Sequence, residues 1–114
     1  MSEEKPTSTF DSFLSLDIRV GIIRKAEFFE KAKKPAYKLR IFFGDEIGFK
    51  NSSAQIRNYS VNELEGRRVI AVINFPPKQV ANFISEVLVL GAVTDDGIQL
   101  LTVSDKAKPG DKVA

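Results

Sequence analysis

The chain contains no cysteine and no histidine among its 114 residues. The first absence excludes disulfides, thiol nucleophiles and zinc sites built on thiolates. The second excludes imidazole as a general base, and with it every Ser-His-Asp arrangement. Catalysis would have to rest on carboxylates, lysine or tyrosine, and no pair of carboxylates stands out as an acid/base couple. Glycine-rich phosphate loops of the G-x-x-x-x-G-K or G-x-G-x-x-G kind are missing. Asp95, Asp96 and Gly97 lack the later ligands of a calcium loop and read as a turn. The expectation is a non-enzyme that uses no cofactor and no metal.

Long hydrophobic runs are missing as well. The longest, 87–93, has seven residues and includes Gly91, against the ~20 that a membrane-spanning helix needs. The opening residues Met1, Ser2, Glu3, Glu4 and Lys5 have the wrong charge and polarity for a signal peptide. Absence of cysteine suits a reducing compartment. These features predict a cytoplasmic protein with no membrane insertion.

The remaining composition, 43% hydrophobic and 28% charged, is that of one ordinary globular domain. Residues 1–9 are polar, include Pro6 and read as a flexible N-terminus, leaving 10–114 as the domain. The net charge of +2 hides an asymmetry: residues 19–78 hold 13 basic against 6 acidic residues, or +7, and the rest hold 4 against 9, or −5. A positive centre between acidic ends fits a local polyanion site; a solvated surface of mixed sign is the alternative.

Periodicity points to β-structure. Residues 17–28 alternate until Arg24 breaks the pattern, which predicts a bulge or bend near Gly21. Tyr37, Leu39, Ile41 and Phe43 alternate with Lys38, Arg40 and Phe42, the clearest strand in the chain. A very polar third strand is expected at 49–57. Ser60 and Glu63 fit a capping box, with Gly66 as a stop, so a short helix follows. Residues 69–73 are continuously apolar, as in a strand buried on both faces. A connector at 78–85 that may hold a helical turn, a fifth strand at 86–93 and a hairpin turn at 95–97 complete the chain. Phe10, Phe13, Leu14 and Leu16 form an apolar cluster at helical spacing. The pattern is all-β, and one short helix between strands three and four is the arrangement of an OB-fold, a five-stranded Greek-key barrel. Other small barrels share parts of it.

On such a barrel the basic residues acquire a common place. Lys31, Lys33, Lys34 and Lys38 crowd the first loop and the start of strand two, with Arg40 on the face of Lys38. Lys50 and Arg57 lie on strand three, and Lys78 in the late connector. Phosphate binding needs several cations along one backbone track. Gln55 and Asn74 offer both donor and acceptor for base edges or peptide amides, though Asn74 equally suits a strand-end turn. Ser52 and Ser53 can donate to phosphate. Phe42, on the polar side of strand two, and Phe75, at a strand end, can stack on bases, cap the core or meet another subunit. Pro76 and Pro77 stiffen the connector that presents Lys78.

Three stretches together, DIRVG at 17–21, KNSSAQI at 50–56 and NFPPKQVANFISEVLVL at 74–90, resemble the CsaA family of secretion-related chaperones. That family is similar in turn to stand-alone tRNA-binding domains and to the C-terminal extension of bacterial methionyl-tRNA synthetase. The likeness covers about 10–114. It implies an OB-fold homodimer that binds tRNA and, as in CsaA, unfolded or precursor polypeptides. It implies nucleic-acid-binding roles for Lys50, Ser52, Ser53, Gln55, Asn74, Lys78 and Ser85, with Glu86 beside them; Lys33, Lys34, Lys38 and Arg57 join them on charge. The Phe-rich connector gives Phe75, Pro76 and Phe83 as peptide-binding candidates, and Phe42, on the polar side of strand two, joins them. Phe10, Phe13, Leu14 and Leu16 are the candidate dimer interface.

Overall fold

The structure, a computed structural model, describes residues 3–114. Of the N-terminal segment expected to be flexible, Met1 and Ser2 lie outside the described residues, and 3–9 form no helix or strand. A single turn of helix follows, α1 (Phe10–Leu14), capped by the Thr9 hydroxyl, which accepts from the Ser12 N–H.

The central sheet is antiparallel and has five strands: β1 (Ile18–Phe29), β2 (Ala36–Phe42), β3 (Phe49–Ala54), β4 (Arg68–Val72) and, after two short strands described below, β7 (Leu88–Val89). Its order is β3-β2-β1-β4-β7. Helix α2 (Val61–Leu64) lies between β3 and β4. The capping box forms as the sequence predicts: Ser60 Oγ accepts from the Glu63 N–H, and Glu63 Oε1 accepts from the Ser60 N–H. Leu64 is fully buried against the barrel.

The sheet curls because β1 is long and serves two partners. Its first half pairs with β4 and its second half with β2. The register slips between Ile23 and Lys25, so the bulge falls at Arg24, where alternation fails. Gly21 permits tight packing inside the curl: a Cβ there would stand 2.6 Å from Ile41 Cγ2 and 2.7 Å from Phe43 Cε1.

The apolar run of β4 is buried throughout, and its alternate residues face two different cores. Val69 and Ala71 join Ile23, Leu39, Ile41, Phe43 and Ile56 inside the barrel. Ile70 and Val72 join Ile18 and Val20 in a second cluster, covered by Leu16, Leu90, Val103, Ala107 and Val113. The C-terminal segment reaches that cluster through backbone bonds between Val20 and both Gly110 and Asp111, and from Val113 N–H to Ile18 O. Leu16 is therefore part of this chain's own packing, unlike Phe10, Phe13 and Leu14.

Three expectations are corrected. The connector at 78–85 holds no helical turn; it is a hairpin of β5 (Lys78–Val80) and β6 (Phe83–Ser85). Val80, Phe83 and Ile84 favour extended backbone, and Ala81 takes the turn at φ 53°. The third strand stops at Ala54, because Ile56 turns into the core and accepts from the Tyr59 N–H. The fifth strand is split. β7 pairs with β4, and the chain then turns into the hairpin of β8 (Gly91–Thr94) and β9 (Gly97–Leu100). At Gly91 a Cβ would collide with Ile98 Cγ2 and with the Gln99 carbonyl, so glycine lets the hairpin close tightly.

Candidate nucleic-acid interface

The two free edges of the curled sheet meet at β3 and residues 85–87, and side chains make much of the join. Asn51 O accepts from the Glu86 N–H at 2.8 Å, and Glu86 Oε1 accepts from the Asn51 N–H at 3.0 Å. Ser85 Oγ accepts from the Ser53 N–H at 3.0 Å. Ser52 Oγ donates to Val87 O at 3.0 Å. This seam holds the β5–β6 hairpin beside the loop at 30–35.

Between them lies a groove of about 700 Å³. Lys31, Lys33 and Lys34 reach it from the loop and Lys78 from the hairpin; Ser53 and Gln55 reach it from the end of β3. Its apolar part is Phe75, Pro76, Val80, Val87 and Leu88. Glu86 is its one acidic lining residue, and one of its oxygens is engaged in the seam. None of the four lysines forms an ion pair among the described residues. They therefore offer uncompensated positive charge next to hydrogen-bonding and apolar surface, a combination suited to phosphates with bases or to an acidic, apolar peptide.

The groove thus brings together Lys33, Lys34, Ser53, Gln55, Phe75, Pro76, Lys78 and Ser85 from the sequence-predicted set. Lys38 is adjacent: its Nζ lies 4.7 Å from the centre of the Phe29 ring and 5.5 Å from that of Phe83. Phe83 packs edge-on against Phe29 at 5.7 Å and is half-buried under that lysine.

Others fall elsewhere. Ser52 is 1% exposed and committed to Val87 O, so it cannot reach a phosphate. Lys50 pairs across with buried Ile41 and so shares the face of Ser52, not that of Lys38 and Arg40. Arg57 is exposed in the turn after β3, outside the groove lining. Asn74 spans the start of β1: its Oδ1 accepts from the Asp17 N–H and its Nδ2 donates to Ser15 O. Phe42 lies at the far end of β2 against Phe49. The groove residues overlooked in sequence are Val80 and Leu88, which read there as connector and fifth strand, whereas Lys31 was already named in the crowded first loop.

Two charged groups are moved by bonds that serve the fold. The hydrogen bond to Asp17 raises the pKa of the Arg19 guanidinium further, and Arg19 also donates to Gly110 O. The bond from the Ser60 backbone lowers the carboxyl of Glu63. Among the described residues no group of acidic side chains could hold a metal ion, and no helix is long and apolar enough to cross a membrane.

Fold and groove together define an OB-like domain, built as a curled five-stranded sheet with a lysine-rimmed groove at its seam. The chain belongs to the putative tRNA binding domain family, whose pattern matches residues 18–112. Among solved structures it is similar to the CsaA chaperone protein of Picrophilus torridus, with 62% identity and a TM-score of 0.91 over 95% of this chain and 100% of that one. It is also similar to chaperone CsaA of Bacillus anthracis, with 45% identity and a TM-score of 0.89 over 96% of this chain and 100% of that one. The methionine–tRNA ligase of Neisseria meningitidis serogroup B is 42% identical over 110 residues, a match that takes in 93% of this chain but spans only 16% of the ligase. The resemblance carried by 17–21, 50–56 and 74–90 is borne out.

Proposed function

We propose that this chain binds tRNA through the groove and that the same groove holds unfolded or exported polypeptides, a CsaA-like chaperone role without catalysis. The observation that carries the reading is the gathering of Lys31, Lys33, Lys34 and Lys78, all without ion-pair partners among the described residues, around Ser53, Gln55 and an apolar floor. Phosphates take the lysines, and exposed bases pack on Phe75 and Pro76. An extended polypeptide uses the same floor, with Gln55 facing its amides. We place the protein in the cytoplasm as a homodimer whose contact is α1, with 10–114 as the domain. A tRNA-binding accessory module with no chaperone role is the second reading, favoured by the family's description.

Salt dependence separates the ligands. Four engaged lysines give a log–log slope of tRNA affinity against salt of about −3, and each true-contact Lys→Ala flattens it by about one. Polypeptide capture on the apolar floor persists or strengthens in salt, because apolar burial is not screened. A salt-insensitive tRNA complex, or one indifferent to Lys33, Lys34 and Lys78 replaced together, would sink the RNA reading. Failure to suppress aggregation of an unfolded client at any salt leaves the accessory module.

A further inference from the structure

The sequence places Lys38 among the phosphate contacts, yet its surroundings give the charge another use. Glu27 stands directly opposite it on β1. That carboxylate instead meets Lys25 Nζ at 3.3 Å. The Lys38 ammonium lies over two rings, 4.7 Å from the centre of Phe29 and 5.5 Å from that of Phe83, and the residue is half-buried. Glu27 and Phe29 are alternate residues of β1 and share its outer face, yet Phe29 is only 2% exposed. Phe83 packs edge-on against it at 5.7 Å and 66°, and Phe83 belongs to the separate two-stranded sheet of β5 and β6.

A two-stranded hairpin is marginal by itself, so what anchors this one matters to the groove it borders. Its entry is stiffened by Pro76 and Pro77. Its exit is tied to β3 at Ser85 and Glu86. Neither anchor reaches the tip, where Gln79 Nε2 donates to Ala81 O inside the hairpin and Gln79, Ala81 and Asn82 are exposed. Phe83, seated on Phe29 beneath Lys38, holds the far half. Register carries that hold to the groove: Phe83 pairs with Val80, and Ser85 with Lys78. Val80 and Lys78 both line the groove. A groove whose walls are already fixed loses less freedom when a ligand arrives.

We propose that Lys38, Phe29 and Phe83 form a latch that positions the β5–β6 hairpin, and that Lys38 is a positioning residue rather than a phosphate contact. Its ammonium is spent on the two rings. The latch holds Lys78 at the groove facing Lys31, Lys33 and Lys34, so that all four cations stand ready along one track. The inference rests on the RNA-binding reading of the groove.

The test reads binding of fluorescein-labelled unfractionated tRNA beside amide hydrogen exchange across 78–85. Lys38→Met keeps the stem and removes the charge, Lys38→Arg keeps a cation for the rings, and Phe83→Leu removes one ring. Lys38→Met and Phe83→Leu are each expected to speed exchange in the hairpin and to weaken tRNA binding about fivefold, while Lys38→Arg stays near wild type. Combined, the two should lose no more than either alone, because they break one contact. In a Lys78→Ala background neither should weaken binding further. Phe83→Leu should also flatten the salt slope by about one, although it removes no charge, because Lys78 leaves the track. Should Phe83→Leu melt early, Lys38→Met against Lys38→Arg carries the test. Losses that multiply to about 25-fold, with the slope of Phe83→Leu unchanged, make Lys38 a direct contact and overturn the proposal. Wild-type exchange and binding in both variants, while Lys33→Ala, Lys34→Ala and Lys78→Ala combined lose binding, overturn the latch and leave the groove standing. If that combined variant binds fully, the RNA reading of the groove fails and the positioning role with it.

Discussion

Asn74 shows how a side chain with claims on both ligand and backbone is decided by its surroundings. Its amide joins the end of β4 to the backbone at Ser15 and Asp17, where α1 leads into β1. Sequence allowed a base-reading residue or a strand-end turn; the geometry uses both amide groups for the chain itself. Asn74→Ala is therefore expected to cost about 1–2 kcal/mol, two modest hydrogen bonds. That is a fall of ~4–8 °C in melting temperature for each kcal/mol in a domain this size. Affinity for tRNA should change less than twofold, with the salt slope intact. Lost binding at an unchanged melting temperature would make Asn74 an RNA contact after all. Ser52 makes a related point: its hydroxyl is a buried tie to Val87, although its sequence neighbours are polar and accessible.

Among the elements, the long alternating strands were legible from their period, helix α2 from its capping box and glycine stop, and the twice-buried β4 from an unbroken apolar run. The β5–β6 hairpin was not, since two three-residue strands fit a helical turn equally well. The seam was not legible either. Ser85 and Glu86 resembled ligand-binding residues of a family motif, but their partners on β3 exist only once the sheet has curled. Much of the distinctive sequence thus builds the barrel, whereas the groove takes three of its four cations from the lysine-rich loop at 30–35, outside those stretches. Glu86 allows the two roles to be separated. Glu86→Ala leaves the Asn51 N–H without its acceptor and should destabilise by about 1–3 kcal/mol in urea unfolding. Glu86→Gln keeps an acceptor and should cost less. It also removes the groove's carboxylate, so tRNA binding should tighten by about two- to fivefold, the scale of a screened surface charge. Equal destabilisation by both variants would show that the seam needs the charge rather than the hydrogen bond.

For the whole molecule, the element that neither core explains is α1. The helix has five residues and buries none of them. Phe10 is 73% exposed and Leu14 59%, and Phe10 stacks on Phe13 at 6.3 Å, so apolar surface is assembled facing outward. A helix this short is not stable by itself. Its Thr9 cap adds only about 1 kcal/mol. The helix does not plug an end of the barrel, because of Phe10, Phe13, Leu14 and Leu16 only Leu16 packs against a core. In the proposed homodimer the two copies of α1 meet about a two-fold axis, each patch covering the other. Sedimentation equilibrium at micromolar concentration should then give twice the 12.7 kDa of the chain. Burial of a phenylalanine or leucine side chain contributes about 1.5–3 kcal/mol. Replacing Phe10 and Leu14 together by serine should therefore raise the dissociation constant at least a hundredfold and yield monomers. Their β-structure should persist, since neither residue belongs to either core. A wild-type chain that sediments at 12.7 kDa would remove the dimer, and a doubly substituted chain that stays dimeric would move its contact away from α1.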